Sequence, residues 1–201
     1  MKRYLRHSIG ELVLMTLLVS CSTTSSAHDR AGVKRVDAAT TRPNDRSGTN
    51  NATARSTAGA YAAVIRELVT ADGGGSEGSR RVIYVLDGAV PSASDPMAST
   101  APTAQRFDAA LKTELRVELN DLPMIRFVSH RDDVVTGTPP GHVIHAGLLL
   151  ALGPIRPHDA QFEVASSSWA NGLNGRWSTY VLTRAGSSWR VVGTSGPLAI
   201  S

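Results

Sequence analysis

Two hydrophobic periods divide the chain. Tyr61, Val64, Ile65, Leu68 and Val69 fall at i, i+3, i+4, i+7 and i+8, one apolar stripe of a helix that Asp72 and Gly73 to Gly75 end. Val82-Ile83-Tyr84-Val85-Leu86 is a continuous apolar run closed by Asp87-Gly88, the pattern of a strand covered on both faces. A loop with Pro91, Pro96 and Pro102 follows. Phe107, Leu111, Leu115 and Leu119 then recur every four residues, predicting a second helix over about 103–120, with Pro123 beyond its end.

After Pro123 the period shortens to two. Residues 125–130 and 162–169 alternate as strands, and 142–152 reads as one long, strongly apolar strand. Residues 176–184 and 188–194 flank Ala185-Gly186-Ser187, a short glycine-containing loop that predicts a hairpin. On its first strand Trp177, Thr179, Val181 and Thr183 share one face, and Ser178, Tyr180 and Leu182 the other. Trp189 and Val191 line one face of the partner strand, and Asn171 to Gly175 is a turn-rich link to the strand before. This order of elements predicts an α+β domain: two helices packed on a curved, mainly antiparallel sheet. No internal repeat is visible.

Ahead of the domain the patterning is different. Lys2, Arg3 and Arg6 precede an apolar stretch from Leu12 to Val19 broken only by Thr16, the composition of an export signal. The stretch is too short for a membrane span, which needs about 20 apolar residues, and Glu11 sits at its start. Cys21, the only cysteine of the chain, follows directly in Leu18-Val19-Ser20-Cys21. This segment resembles the lipobox of bacterial lipoproteins, in which the leader is cut before the cysteine and the thiol receives a diacylglyceryl group. The resemblance implies a signal peptide over 1–20, lipidation at Cys21 and a lipid-anchored protein facing the extracytoplasmic side of the cell membrane or outer membrane. With Ser22 rather than Asp after the cysteine, it implies outer-membrane sorting where an outer membrane exists. An ordinary cleavable signal, with no role for Cys21, is the alternative. A single cysteine also excludes any intrachain disulfide.

From Ser22 to Ser56 the chain is rich in Ser, Thr, Ala, Asn and charge, with Val33 and Val36 its only large aliphatics. Such a composition buries too little apolar surface to offset the entropy of ordering it. Residues 21–56 are therefore expected to form a disordered tether, and 57–201 a single domain of ordinary size. Net charge supports the division. Of the formal +4, the leader carries +2 and the tether +3, leaving −1 on the domain. A basic balance marks nucleic-acid binding only where it concentrates on the binding domain. Here it sits on the membrane side, where a membrane-surface role accounts for it, and no nucleic-acid partner is expected.

The element order, with the closing Tyr180-Val181-Leu182, Gly186 and Trp189-Arg190-Val191-Val192, resembles NTF2-like (cystatin-like) domains. In these a curved sheet wraps around a helix, often enclosing a pocket. Many of them carry two or more helices before the first long strand, whereas one is evident here, which leaves a different α+β sheet open. The final residues, from Val192 to Ser201, are similar to the ends of uncharacterised secreted proteins of actinobacteria.

Candidate chemistry is sparse. His142 and His145 form an HxxH, but on a strand they point to opposite faces and make a poor metal chelate. His130-Arg131-Asp132-Asp133 combines an imidazole with carboxylates that could serve acid–base chemistry, but reads better as a solvated strand end running into a loop. Asp87 follows a buried strand and would become a base if it projected into an apolar cavity; otherwise it is a turn residue before Gly88. Trp169, Trp177 and Trp189 suit a small core better than a ligand surface. The chain has no GxSxG, P-loop or HExxH, and no metal or cofactor is expected. The expectation is a lipid-anchored, non-catalytic domain that binds a small ligand or an envelope protein. An NTF2-like enzyme (isomerase, dehydratase or hydrolase) is the alternative, with Asp87, His130, Asp132 and His145 as its candidate residues.

Overall fold

The structure, a computed structural model, describes residues 46–73, 82–96, 105–138 and 141–201, all within one compact unit, Pro43–Ser201. Cys21, the leader and residues 21–45 of the expected tether lie outside the described residues. Two helices, α1 (Arg46–Ala71) and α2 (Ala109–Glu118), pack on one curved, mainly antiparallel sheet. The strands are β1 (Val82–Ala89), β2 (Met124–Val128), β3 (Val135–Thr136), β4 (His142–Val143), β5 (Leu148–Leu152), β6 (Arg156–His158), β7 (Gln161–Asn171), β8 (Asn174–Ala185) and β9 (Ser188–Ile200).

The long strand β7 organises the sheet. β8 runs along one of its edges and carries β9 beyond it, while β6, β5 and β4 share the other edge in succession. β5 is followed outward by β1 and then β2, and these three run parallel. That parallel trio is the physical reason for the unbroken apolar run in β1. Helices cover one face and connecting segments the other, so every position must be apolar. Ile83, Val85, Leu148, Leu150 and Leu152 lie in a core under the helices; Val82, Tyr84, Leu86, Leu149 and Ala151 lie in a second core against Val90, Ala93, Val134 and Val143. Fully burying side chains of this kind contributes about 1.5–3 kcal/mol each.

α1 is longer than its large apolar residues indicate. It starts at Arg46, so residues 46–56, expected in the tether, are helical. The stripe continues toward the N-terminus through Ala54 and Ala58, which are buried without being large. They find room because the sheet beneath is lined by small residues: Ser166, Ser168 and Ser178 share the helix-facing side with Val164, Tyr180 and Leu182, and all three serines are buried. α2 begins later than expected. Asp108 is its N-cap, its Oδ1 accepting from the Leu111 N–H at 2.7 Å, and Phe107, Leu111, Leu115 and Leu119 are buried as predicted. Arg66 clamps the two helices together by donating to the Asp121 carboxylate at 2.9 Å and to the Glu118 carbonyl. That hydrogen bond holds the Asp121 carboxyl below the usual carboxylate range.

The apolar segment 142–152 is not one strand. β4 ends at Val143, a 3-10 turn follows over Ile144–Ala146, and β5 starts at Leu148. His145 (φ 57°) and Ala146 (φ 50°) are both left-handed, and the turn jogs the chain sideways between β4, which pairs with β3, and β5, which enters beside β1, both strands still antiparallel to β7. The predicted hairpin is present, with a two-residue Gly186–Ser187 loop and Gly186 at φ 62° in its first position, the II′ requirement. Its outer strand β9 is long and exposed, but two register shifts against β8, a left-handed Gly196 and Pro197 interrupt its edge. Such features blunt an edge against strand addition.

Two substitutions separate these contributions. Leu150→Ala, in the middle of the parallel trio, is expected to lower unfolding free energy by about 2–5 kcal/mol. Ser178→Ala should leave it unchanged or raise it, because the buried Ser178 Oγ has no hydrogen-bond partner among the described residues. Urea midpoints of the two variants check both signs.

Candidate binding groove

The residues singled out by sequence do not come together. Asp87 sits on the helix-facing side of β1, where the Lys112 ammonium of α2 lies 3.1 Å from Oδ1 and 3.2 Å from Oδ2. Only Oδ2 receives a hydrogen bond of good geometry, leaving Oδ1 to the ion pair alone. The carboxylate therefore faces a cation at the α2 surface and not an apolar cavity. His130 is the N-cap of a 3-10 turn over Arg131–Asp133, and its N–H donates to Asp133 Oδ2 at 2.9 Å. His130 and Asp132 are exposed, so this stretch is a solvated turn. Arg131 instead turns inward, with its guanidinium 4.2 Å from the centre of the Trp169 ring.

His142 and His145 belong to different elements, β4 and the 3-10 turn, and both are exposed. Among the described residues no group of three His, Cys, Asp or Glu side chains is placed to hold a metal ion. His145 Nδ1 lies 2.8 Å from the hydroxyl of Tyr84, which points to the face of β1 opposite Asp87. The two candidates are thus separated by the sheet itself.

An open hollow lies elsewhere. A groove of about 650 Å³ runs between α1, from Ala52 to Glu67, and the β8–β9 hairpin. Its helix wall carries Arg55, Gly59, Ala63, Arg66 and Glu67, with Glu118 of α2 beside it; the hairpin wall carries Arg184, Trp189 and Arg190. Trp189 forms the floor: its ring packs edge-on against Phe162 at 5.0 Å, and Arg184 lies over it at 5.7 Å. Gly59 is what lets the indole lie so close to the helix, since a Cβ there would stand 2.9 Å from Trp189 Cδ1.

The charges of the two walls are not equivalent. On the helix side Arg55 pairs with Glu114 at 3.5 Å and Arg66 with Asp121 at 2.9 Å. On the hairpin side Arg184 donates only to the Gly186 carbonyl at 3.0 Å, and neither Arg184 nor Arg190 has an acidic partner among the described residues. The hairpin wall therefore presents two guanidinium groups without an ion-pair partner beside an aromatic floor, while Glu67 and Glu118 place two carboxylates on the helix side. The sequence favours a core position for Trp189 over a ligand surface; the indole is half-buried against Phe162 and also lines the groove. Sequence reading missed the groove because Ala52, Arg55 and Ser56 were assigned to the tether, although they form part of the helix wall. The alanine spacing of Ala54 and Ala58 against Tyr61 and Ile65 was the available signal.

A smaller hollow of about 290 Å³ opens at the other side of α1, between Tyr61, Phe107, Asp108 and Ile155. The Tyr61 hydroxyl donates to the Gly153 carbonyl at 3.1 Å, and its ring lies 5.3 Å from that of Phe107. Burial pushes this phenol up to about 12, against a smaller opposing effect of a backbone hydrogen bond from Ile155. The unfolded chain, near the ordinary 10.0, then loses this proton first as pH rises. Stability is fully present below pH 10 and falls as the pH rises through the window up to about 12. Tyr61→Phe should lower stability by about 1 kcal/mol at neutral pH, through the lost hydrogen bond. It should also flatten the alkaline decline, leaving the part due to Tyr180, which burial shifts in the same direction. Denaturant midpoints followed from pH ~9 to ~11.5 test this.

Compared with known protein families, with characterised proteins and with solved structures, the chain matches none.

Proposed function

We propose that this chain is a lipid-anchored protein of the cell envelope, attached through Cys21, whose domain is a non-catalytic binding module. The observation that carries the binding part is the groove between α1 and the β8–β9 hairpin, with its aromatic floor and the unpaired Arg184 and Arg190. Its volume lies in the range of small-ligand sites. The unpaired arginines of its hairpin wall favour an acidic group at that wall, borne by a small molecule or a segment of a partner, with Glu67 and Glu118 on the helix side. The anchoring part rests on the lipobox resemblance at Leu18–Cys21 and the short apolar leader before it. Among the described residues no helix is long and apolar enough to cross a membrane.

The enzyme alternative has less support. It needs a carboxylate and an imidazole converging on one hollow. Asp87 is held by Lys112 on one face of the sheet, and His145 is held by Tyr84 on the other.

Two measurements test the two parts separately. In a bacterial host, the chain should sediment with membranes and gain the mass of a diacylglyceryl group at Cys21. Cys21→Ala should abolish both; a Cys21→Ala chain that remains membrane-bound with no unlipidated precursor would sink the anchoring proposal. For the groove, a hexaglutamate peptide should bind and quench tryptophan emission. The double variant Arg184→Glu with Arg190→Glu should weaken that binding at least about tenfold, or 1.4 kcal/mol. Equal affinity of wild type and variant would refute the groove as the binding surface.

A further inference from the structure

A third hollow, of about 380 Å³, lies at the outer corner of the sheet, on the opposite face from the helices. It is lined by Val82 at the start of β1, Met124 and Arg126 on the edge strand β2, and His145 from the 3-10 turn. The parallel register pairs Val82 with Met124 and Tyr84 with Arg126, so these four residues share one face of the sheet. Met124 is 57% exposed there, forming an apolar floor that nothing among the described residues covers. Arg126 has no acidic partner among the described residues; its Nε lies 3.2 Å from the Met124 sulfur, and its terminal nitrogens remain uncommitted.

His145 is held in place by an unusual set of constraints. It and Ala146 are consecutive left-handed residues without being glycine, a costly conformation that persists only where its surroundings enforce it. The next residue, Gly147, has no room for a side chain, because a Cβ would stand 2.7 Å from the Tyr84 ring. The Tyr84 hydroxyl is the anchor. Tyr84 is 2% exposed, and its one hydrogen-bond partner among the described residues is His145 Nδ1 at 2.8 Å.

That contact decides the tautomer. A phenol accepting from Nδ1–H would leave its own buried hydrogen without an acceptor, which is unfavourable. The phenol therefore donates to Nδ1, and the imidazole proton sits on Nε2, the nitrogen on the side away from Tyr84. The hollow thus combines the Nε2–H of His145 with the guanidinium of Arg126. Both are donors, and no carboxylate lines the site.

We infer that this corner is a second binding site, for a small oxyanion group, carboxylate or phosphate, borne on an apolar body. The anionic group bridges His145 and Arg126, and the apolar body lies on Val82 and Met124. The left-handed turn and the buried phenol serve to aim one nitrogen at the ligand. This assignment is independent of the groove beneath the hairpin.

The test uses the whole chain, with the His145 ring nitrogens followed by long-range nitrogen–proton NMR. The neutral ring should show the Nε2–H tautomer, and Tyr84→Phe should lose that preference. Titration with hexanoate and with inorganic phosphate should shift the His145 ring signals saturably for at least one of them, and the one that saturates identifies the anion. Arg126→Ala, at an exposed position, should weaken that binding at least tenfold. His145→Asn, which tolerates the left-handed backbone, should do the same, whereas Arg184→Glu with Arg190→Glu should leave it unchanged. No saturable shift with either probe, or undiminished binding by Arg126→Ala, would overturn the inference.

Discussion

The parallel trio β2–β1–β5 sets the terms for the rest of the fold, because the strands at its heart have two faces to hide. β1 and β5 are buried almost throughout, and an all-apolar strand in that position needs cover on both sides. α1 and α2 supply it on one side. On the other, no helix is available among the described residues, and the cover comes from connecting segments: Val90 and Ala93, Val134 after the 3-10 turn, and Val143 in β4. Short irregular segments cover a sheet less evenly than a helix does. The corner beside Val82 and Met124 stays open as a result.

Small residues have a complementary role on the helix side. Serines on β7 and β8 and alanines on α1 leave little bulk between helix and sheet, so Gly59 and the Trp189 indole can meet directly. The groove is formed where that close packing ends and the hairpin projects past the helix. Both hollows therefore arise at places where one layer outruns its cover. Both also expose arginines that have no acidic partner, although the domain as a whole is close to neutral.

Much of the architecture was legible in the residues. The stripe from Tyr61 to Val69, the four-residue recurrence from Phe107 to Leu119 and the closing hairpin each depend on local periodicity; the two helix stripes are buried, and in the hairpin Tyr180 and Leu182 are buried while Trp189 and Val191 are half-buried. What escaped was whatever depended on weak local signals. Ala54 and Ala58 carry too little hydrophobicity to announce a helix, so its first turns read as tether. The run from His142 to Leu152 is apolar enough for one strand, and nothing local reveals that Tyr84, far away in sequence, holds a left-handed turn at His145. Asp87 read as a turn residue before Gly88, or as a base only if it met an apolar cavity. Its neighbour proved to be Lys112, a residue on another element whose proximity only packing creates.

The sequence by itself determined the class of fold, the elements with strong periodicity and the separation of a basic N-terminal region from a near-neutral domain. These follow from short-range order and from composition, which a chain carries before it folds. Tertiary structure decided that three strands run parallel, which small residues lie under the helix and which charged side chains find partners. It also decided that the hollows lie beneath the hairpin and at the β1–β2 corner, away from His130 and Asp132. Those outcomes depend on contacts between residues distant in the chain, where the fit of one surface on another replaces local pattern as the deciding force.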